Sequence, residues 1–130
     1  MIKVVCGIIY KDGRVLITRR KEGKSLAGYW EFPGGKIDLG ELENEALTRE
    51  LEEELDMEVQ IFKRLGEFIH HYENFSLSLI GFKCKLINWN GMMTDHDKAE
   101  WILPNELIKY KFAEADLPFV EIIRNDENQV

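Results

Sequence analysis

Residues 2–10 (IKVVCGIIY) are apolar and rich in β-branched side chains, which predicts a buried strand. The Asp12-Gly13 pair that follows is a hairpin signal, and Val15 to Arg19 predicts the returning strand. Polar, glycine-containing residues 21–29 predict a loop. Trp30-Glu31-Phe32 predicts a short strand that Pro33-Gly34-Gly35 breaks. From Glu43 to Leu55 the period changes: Ala46, Leu47, Leu51 and Leu55 make one apolar stripe with charge on the other faces, which predicts a helix. Residues 57–72 and 75–88 predict two longer strands about a Glu73-Asn74 turn, with Phe75, Leu77 and Leu79 alternating with serines. A polar loop at 90–98 leads to a last strand, Glu100-Trp101-Ile102. Pro104 opens a short helix from Asn105 to Tyr110, Ala115 to Arg124 predicts a terminal helix, and the tail from Asn125 to Val130 is expected to fray. No repeat, low-complexity tract or linker interrupts this order. Mixed strands with two or three helices predict an α+β class, with residues 1–130 as a single domain.

Composition narrows the function. The 130 residues are 45% hydrophobic and 32% charged, ordinary for a soluble globular chain. Twenty-four acidic residues against 17 basic ones give a net charge of −7. That excludes a generic binder of nucleic acid or anionic membrane, both of which need a positive footprint. It leaves room for a phosphate-bearing ligand if a metal ion stands between the carboxylates and the phosphates. Cys6 and Cys84 lie far apart and match no zinc or redox spacing, so free thiols in a reducing compartment are expected. Neither a membrane-length apolar run nor a signal-peptide pattern is present, and the expected address is the cytoplasm.

The densest chemistry lies between Gly34 and Met57. Glu50, Glu53 and Glu54 fall at i, i+3 and i+4 on the predicted helix, so three carboxylates crowd one face while Glu52 points away. Like charges at that spacing destabilise a helix unless a cation neutralises them, and oxygen ligands suit Mg²⁺ or Mn²⁺. Arg49 is placed to pair with Glu53, or to reach back to Glu41. The Gly34-Gly35 pair permits close approach of a ligand to the backbone.

These residues resemble a family. Gly35, five residues, Glu41, seven residues, then Arg49-Glu50-Leu51-Glu52-Glu53-Glu54-Leu55-Asp56-Met57 is similar to the Nudix box, Gly-x5-Glu-x7-Arg-Glu-U-x-Glu-Glu-x-Gly-U, with U a bulky apolar residue. Only the final Gly departs, replaced by Asp56, and Asp tolerates the left-handed backbone that a helix-ending Gly supplies. Trp30 to Ile37 and the segment Phe112 to Pro118 resemble the MutT-type branch and its CTP-hydrolysing relatives. The resemblance implies an α/β/α sandwich, a mixed sheet between helices. It implies that Glu53, Glu54 and the Gly34 carbonyl bind metal, and that Glu50 binds metal or activates water. Arg49 joins Glu50 and Glu53 in the implied catalytic set. Asp95 is a metal or base residue or a plain loop acid, and Arg20 is a phosphate contact or surface charge. Phe75 is placed near a base.

Asp116 stands where this branch carries a base-reading residue; the alternative is a cap for the terminal helix. An ionised Asp116 only accepts hydrogen bonds, so it would favour a base edge that presents a donor, such as cytosine N4 or the protonated N7 of 8-oxoguanine. The leading expectation is therefore a Mg²⁺-dependent nucleoside triphosphate pyrophosphohydrolase that attacks the β-phosphorus of 8-oxo-dGTP-like or CTP-type nucleotides. A hydrolase of sugar nucleotides or dinucleoside polyphosphates, or a non-catalytic nucleotide sensor, is the alternative. The expected partner is a small nucleotide, with neither nucleic acid nor membrane, and the chain is expected as a monomer or homodimer.

Overall fold

In the computed structural model, which describes residues 1–126, strand β1 (Ile2–Lys11) sits at the centre and is buried on both faces. Its side chains alternate: Val5 and Ile9 enter one core, while Cys6, Ile8 and Tyr10 enter the other. The first core is closed by helix α1 (Glu43–Leu55) through Ala46, Leu47, Leu51 and Leu55. The second is closed by helix α2 (Leu117–Asn125) through Phe119, Val120 and Ile123. Helices on both faces of one mixed sheet give the sandwich.

The remaining strands are β2 (Arg14–Arg20), β3 (Trp30–Glu31), β4 (Gly34–Lys36), β5 (Glu58–His71), β6 (Ser76–Asn88) and β7 (His96–Ile102). One edge of β1 pairs in parallel with β6, which pairs antiparallel with β5. The other edge is shared. The β1–β2 hairpin pairs only Tyr10 with Val15 and Lys11 with Arg14, and β2 then leaves to pair with β3 and β7. Further back, the same edge of β1 is taken by β4, with Val4, Val5 and Cys6 opposite Lys36, Gly35 and Gly34. The sheet splays where β2 departs, and a cavity opens there.

Helix α1 occupies the predicted span. Glu45 reaches back to accept the Leu42 N–H at 2.9 Å, and Asp56 ends the helix in the left-handed region at φ 50°, ψ 44°. Four expectations are corrected. Gly34 to Lys36 is a strand rather than a break, and β7 begins at His96, inside the predicted loop. The terminal helix starts at Leu117 rather than Ala115, after a 3₁₀ turn at Glu114–Asp116, whereas the short helix expected after Pro104 is present as a 3₁₀ helix, Pro104–Lys109. Asn125 belongs to α2, and Asp126 pairs with the buried Lys83 ammonium at 2.9 Å, so these two residues do not fray; the rest of that tail lies outside the described residues.

Candidate active site

The cavity holds about 690 Å³ and runs from the C-terminal half of α1 to the turn before α2. Its walls include Gly34 and Gly35 of β4, Glu50 and Glu54 of α1, Asp95, Arg20, Glu31, Phe75 and Asp116. The two glycines are required by packing and have no positive φ. A Cβ on Gly34 would run into the Val5 carbonyl, and one on Gly35 into the Glu50 carboxylate.

The three helix carboxylates separate. At 100° per residue Glu54 lies 40° to one side of Glu50, and Glu53 lies 60° to the other, the side that carries Arg49. Glu50 and Glu54 line the cavity. The Glu53 side chain is 60% exposed and accepts from Arg49 Nη1 at 3.2 Å. Arg49 does both things expected of it. It donates to Glu41 (2.6 and 2.9 Å) and to Glu53, and it also reaches Glu50 (2.8 Å) and the Lys36 carbonyl (3.0 Å). Its guanidinium, with help from the Asp38 N–H, holds Glu41 down to about 2.

Glu54 meets Asp95 in a hydrogen bond between carboxyl groups, and burial followed by this contact pushes Glu54 up to about 9. The bond from Glu54 holds Asp95 below its ordinary value. The opposite shifts favour a pair that keeps one proton, on Glu54. Burial also raises Glu50, against the pull of Arg49. Thr94 fixes the Asp95 loop to the helix end, its N–H donating to the Glu54 carbonyl at 3.0 Å. No three acids, histidines or cysteines among the described residues are set as a closed metal cage. The donor chemistry nevertheless fits a hard divalent cation: carboxylates and a backbone carbonyl supply oxygen only, and the Glu54–Asp95 pair needs either a proton or a cation between its members.

At the far end Asp116 is 6% exposed and accepts the Phe32 N–H through Oδ2 at 2.9 Å. It makes no capping bond to α2, so the capping alternative is corrected. Burial, then the charge of Glu31, pushes its carboxyl well above the ordinary value. The shift favours the neutral form of this carboxyl, in which it donates as well as accepts. That revises the accept-only reading.

Arg20 enters the cavity wall with its guanidinium already engaged, by the Ser25 carbonyl at 2.7 Å and by Glu31 at 3.1 Å. Phe75 is 47% exposed and stacks on Tyr72, with ring centroids 5.0 Å apart. The sequence did not single out Glu31 or His96, which lie 2.8 Å apart. The clue for Glu31 was an acid between Trp30 and Phe32, two aromatics that share the opposite face. His70 and His71 diverge, toward Glu114 and Ser76 respectively. Cys6 and Cys84 are free and buried, as expected. No helix among the described residues is long and apolar enough to cross a membrane.

Fold and site together define a class: an α+β hydrolase in which one helix presents carboxylates to a cavity formed where a mixed sheet splays. The NUDIX domain model matches residues 4–121. The chain is 35% identical to the CTP pyrophosphohydrolase of Escherichia coli K12, over 93% of this chain and 90% of that protein. It is 32% identical to the 8-oxo-dGTP diphosphatase of Haemophilus influenzae, over 97% and 93% respectively. Among solved structures it is similar to the MutT protein of methicillin-resistant Staphylococcus aureus 252, with TM-score 0.77 and 37% identity over 95% of both chains. The chain belongs to the Nudix family and is a hydrolase of that family. Nudix hydrolases generally use a divalent metal.

Proposed function

We propose that the chain hydrolyses nucleoside triphosphates to the monophosphate and pyrophosphate with Mg²⁺, for which Mn²⁺ substitutes. The proposed substrates are CTP-type or 8-oxo-dGTP-like nucleotides, the kinds of molecule for which its relatives are named. The observation that carries this reading is one cavity with two unlike ends: the Glu54–Asp95 acid pair at one, and the buried Asp116 at the other. In this reading the Gly34 carbonyl, Glu50, Glu53, Glu54 and Asp95 hold the metal, with Glu53 joining from the rim. The bound ion supplies neutralisation of the phosphate charge.

Glu50 takes the proton from a water whose oxygen bonds to the β-phosphorus. The bond from that phosphorus to the bridging oxygen breaks, and the monophosphate leaves. Arg49 orients Glu50 and Glu53 through its ion pairs. Arg20 offers its guanidinium to a phosphate, and Phe75, stacked on Tyr72, flanks the base. A neutral Asp116 both donates and accepts. That pattern complements N3 and N4 of cytosine, or O6 and the protonated N7 of 8-oxoguanine, and mismatches unmodified guanine, which offers only acceptors at N7 and O6. The same reading takes residues 1–130 as one domain acting in the cytoplasm on a free nucleotide, as monomer or homodimer, with neither nucleic acid nor membrane as partner.

The test is a panel of ribo- and deoxynucleoside triphosphates, oxidised nucleotides, nucleotide sugars and dinucleoside polyphosphates with Mg²⁺, run in ¹⁸O-water. Pyrophosphate that carries the label, released from CTP-type or oxidised nucleotides, is the expected result. Label in the monophosphate overturns attack at the β-phosphorus, and turnover confined to the sugar nucleotides or dinucleoside polyphosphates overturns the substrate class.

A further inference from the structure

One charged side chain between the two ends of the cavity has hydrogen-bonding capacity left over. Arg20 Nη1 donates to Glu31 Oε2 at 3.1 Å, and His96 Nε2 lies 2.8 Å from the same oxygen. A carboxylate partner places the ring proton on Nε2, and the buried Nδ1 of His96 has no partner among the described residues. Both donors therefore converge on Oε2, and no described hydrogen bond reaches Oε1. The Glu31 side chain is only 18% exposed, and the residue lines the cavity.

Its neighbours fix its place along the cavity. Phe32, next in the chain, holds Asp116 through its N–H. His96, the partner of Glu31, follows Asp95 at the carboxylate end. Electrostatics agree, because the charge of Glu31 raises both Glu54 and Asp116. A nucleotide with its phosphates at the carboxylate end and its base at Asp116 carries its sugar past Glu31. An anionic oxygen repels phosphate and welcomes a neutral donor, and a sugar hydroxyl is the donor at that point of a nucleotide.

We infer that Glu31 is the sugar-reading residue of this site, its Oε1 accepting a hydrogen bond from a hydroxyl of the nucleotide's ribose or deoxyribose. The inference rests on the nucleotide reading given above. Arg20 and His96 are positioning residues for it, since both hold the far oxygen and leave the near one to the substrate.

The experiment takes the base that the panel selects and presents it on four sugars: ribose, 2′-deoxyribose, 3′-deoxyribose and 2′,3′-dideoxyribose. kcat/KM is measured for the wild type, Glu31→Gln and Glu31→Ala. The wild type is expected to lose roughly 10-fold or more when the hydroxyl that it reads is removed, the size of a hydrogen bond to a charged group. In Glu31→Ala the four sugars are expected to converge, because variant and substrate then delete the same contact. A wild type that treats the four alike overturns the inference while leaving nucleotide hydrolysis in place. An equal loss on all four sugars in Glu31→Ala, with the wild-type ratios kept, also overturns it, since that is the mark of a structural role. The wild-type series and Glu31→Gln decide the matter if Glu31→Ala does not fold. Hydrolysis of none of the four removes the nucleotide reading and this inference with it.

Discussion

Replacing Asp116 by Asn isolates the ionisable proton of a buried acid. Asn keeps the shape and an oxygen to accept the Phe32 N–H, now 2.9 Å from Oδ2, and discards only the acid. In the unfolded chain this carboxyl ionises near its ordinary 3.8; in the native protein, burial and Glu31 hold it well above that, with Phe32 and Arg20 opposing. Between those two values the native state keeps a proton that the unfolded state has lost. Native stability therefore falls as pH rises through that window, at a limiting slope of about 1.4 kcal/mol per pH unit. Asn carries no such slope. Glu54, pushed up to about 9, is present in both proteins, so its own pH dependence cancels in the comparison. Asp116→Asn is thus expected to be the more stable protein, with an advantage that grows by about 1.4 kcal/mol per unit from about pH 5 upward until the native carboxyl ionises. Urea unfolding of both proteins without metal, at constant ionic strength from about pH 5 to pH 8, measures this difference directly. A difference that stays flat across that range refutes a buried, protonated Asp116. The same variant keeps a donor and an acceptor for the base, so its preference among bases should survive. Asp116→Ala should cost roughly 10-fold in kcat/KM on the preferred base, because that hydrogen bond is lost.

Three further outcomes follow from the carboxylate end. Glu54→Gln should lose at least ~10²-fold in turnover while its circular dichroism stays native, and near-wild-type turnover at saturating Mg²⁺ would remove Glu54 from the metal set. Gly35→Ala forces a Cβ onto the Glu50 carboxylate, so it should lose kcat by roughly 10-fold or more, the scale set by a misplaced catalytic group; full activity would mean that Glu50 moves aside without consequence. Arg49→Gln should release Glu41, whose titration, followed by carboxyl ¹³C NMR, should rise from about 2 towards its ordinary 4.5; an unmoved value would assign the depression to the Asp38 N–H alone.

Helix α1 was legible because its stripe of Ala46, Leu47, Leu51 and Leu55 needs nothing beyond local periodicity, and the box motif lies on the same residues. Strand β4 was not. Gly34-Gly35-Lys36 has no apolar alternation, and it becomes a strand only because the β1 backbone offers it a free edge. The start of β7 was hidden for a related reason: His96-Asp97-Lys98 reads as a polar loop, yet His96 is buried against Glu31, a partner 65 positions away in the chain. Sequence spacing put Glu50, Glu53 and Glu54 on one face. It could not tell which side of Glu50 the Asp95 loop would cover, and that choice turns Glu54 inward and leaves Glu53 with Arg49. The position of Asp116 was legible. The upward shift of its carboxyl was not, because burial is a property of the folded chain.

The shared edge of β1 also governs where this chain tolerates changes of length. The register of Gly35 against Val5, and with it the seat of Glu50, is set by β4 lying on β1 and owes nothing to the β1–β2 hairpin. Residues 21–29 leave β2 and return at β3, a two-residue strand beside it, so extra residues there are looped out before the chain reaches Pro33. That loop also touches the carboxylate end, where the Lys21 N–H donates to the Asp95 carbonyl at 3.3 Å and Lys24 Nζ lies 3.8 Å from the Asp95 carboxylate, and its Ser25 and Leu26 line the cavity. One extra residue between Trp30 and Gly34 has nowhere to go, since backbone bonds anchor both sides of that short span, Trp30 to Lys111 and Pro33 to Gly7. A change of length in that loop thus reshapes what the cavity admits, while between Trp30 and Gly34 the backbone anchors hold the length fixed.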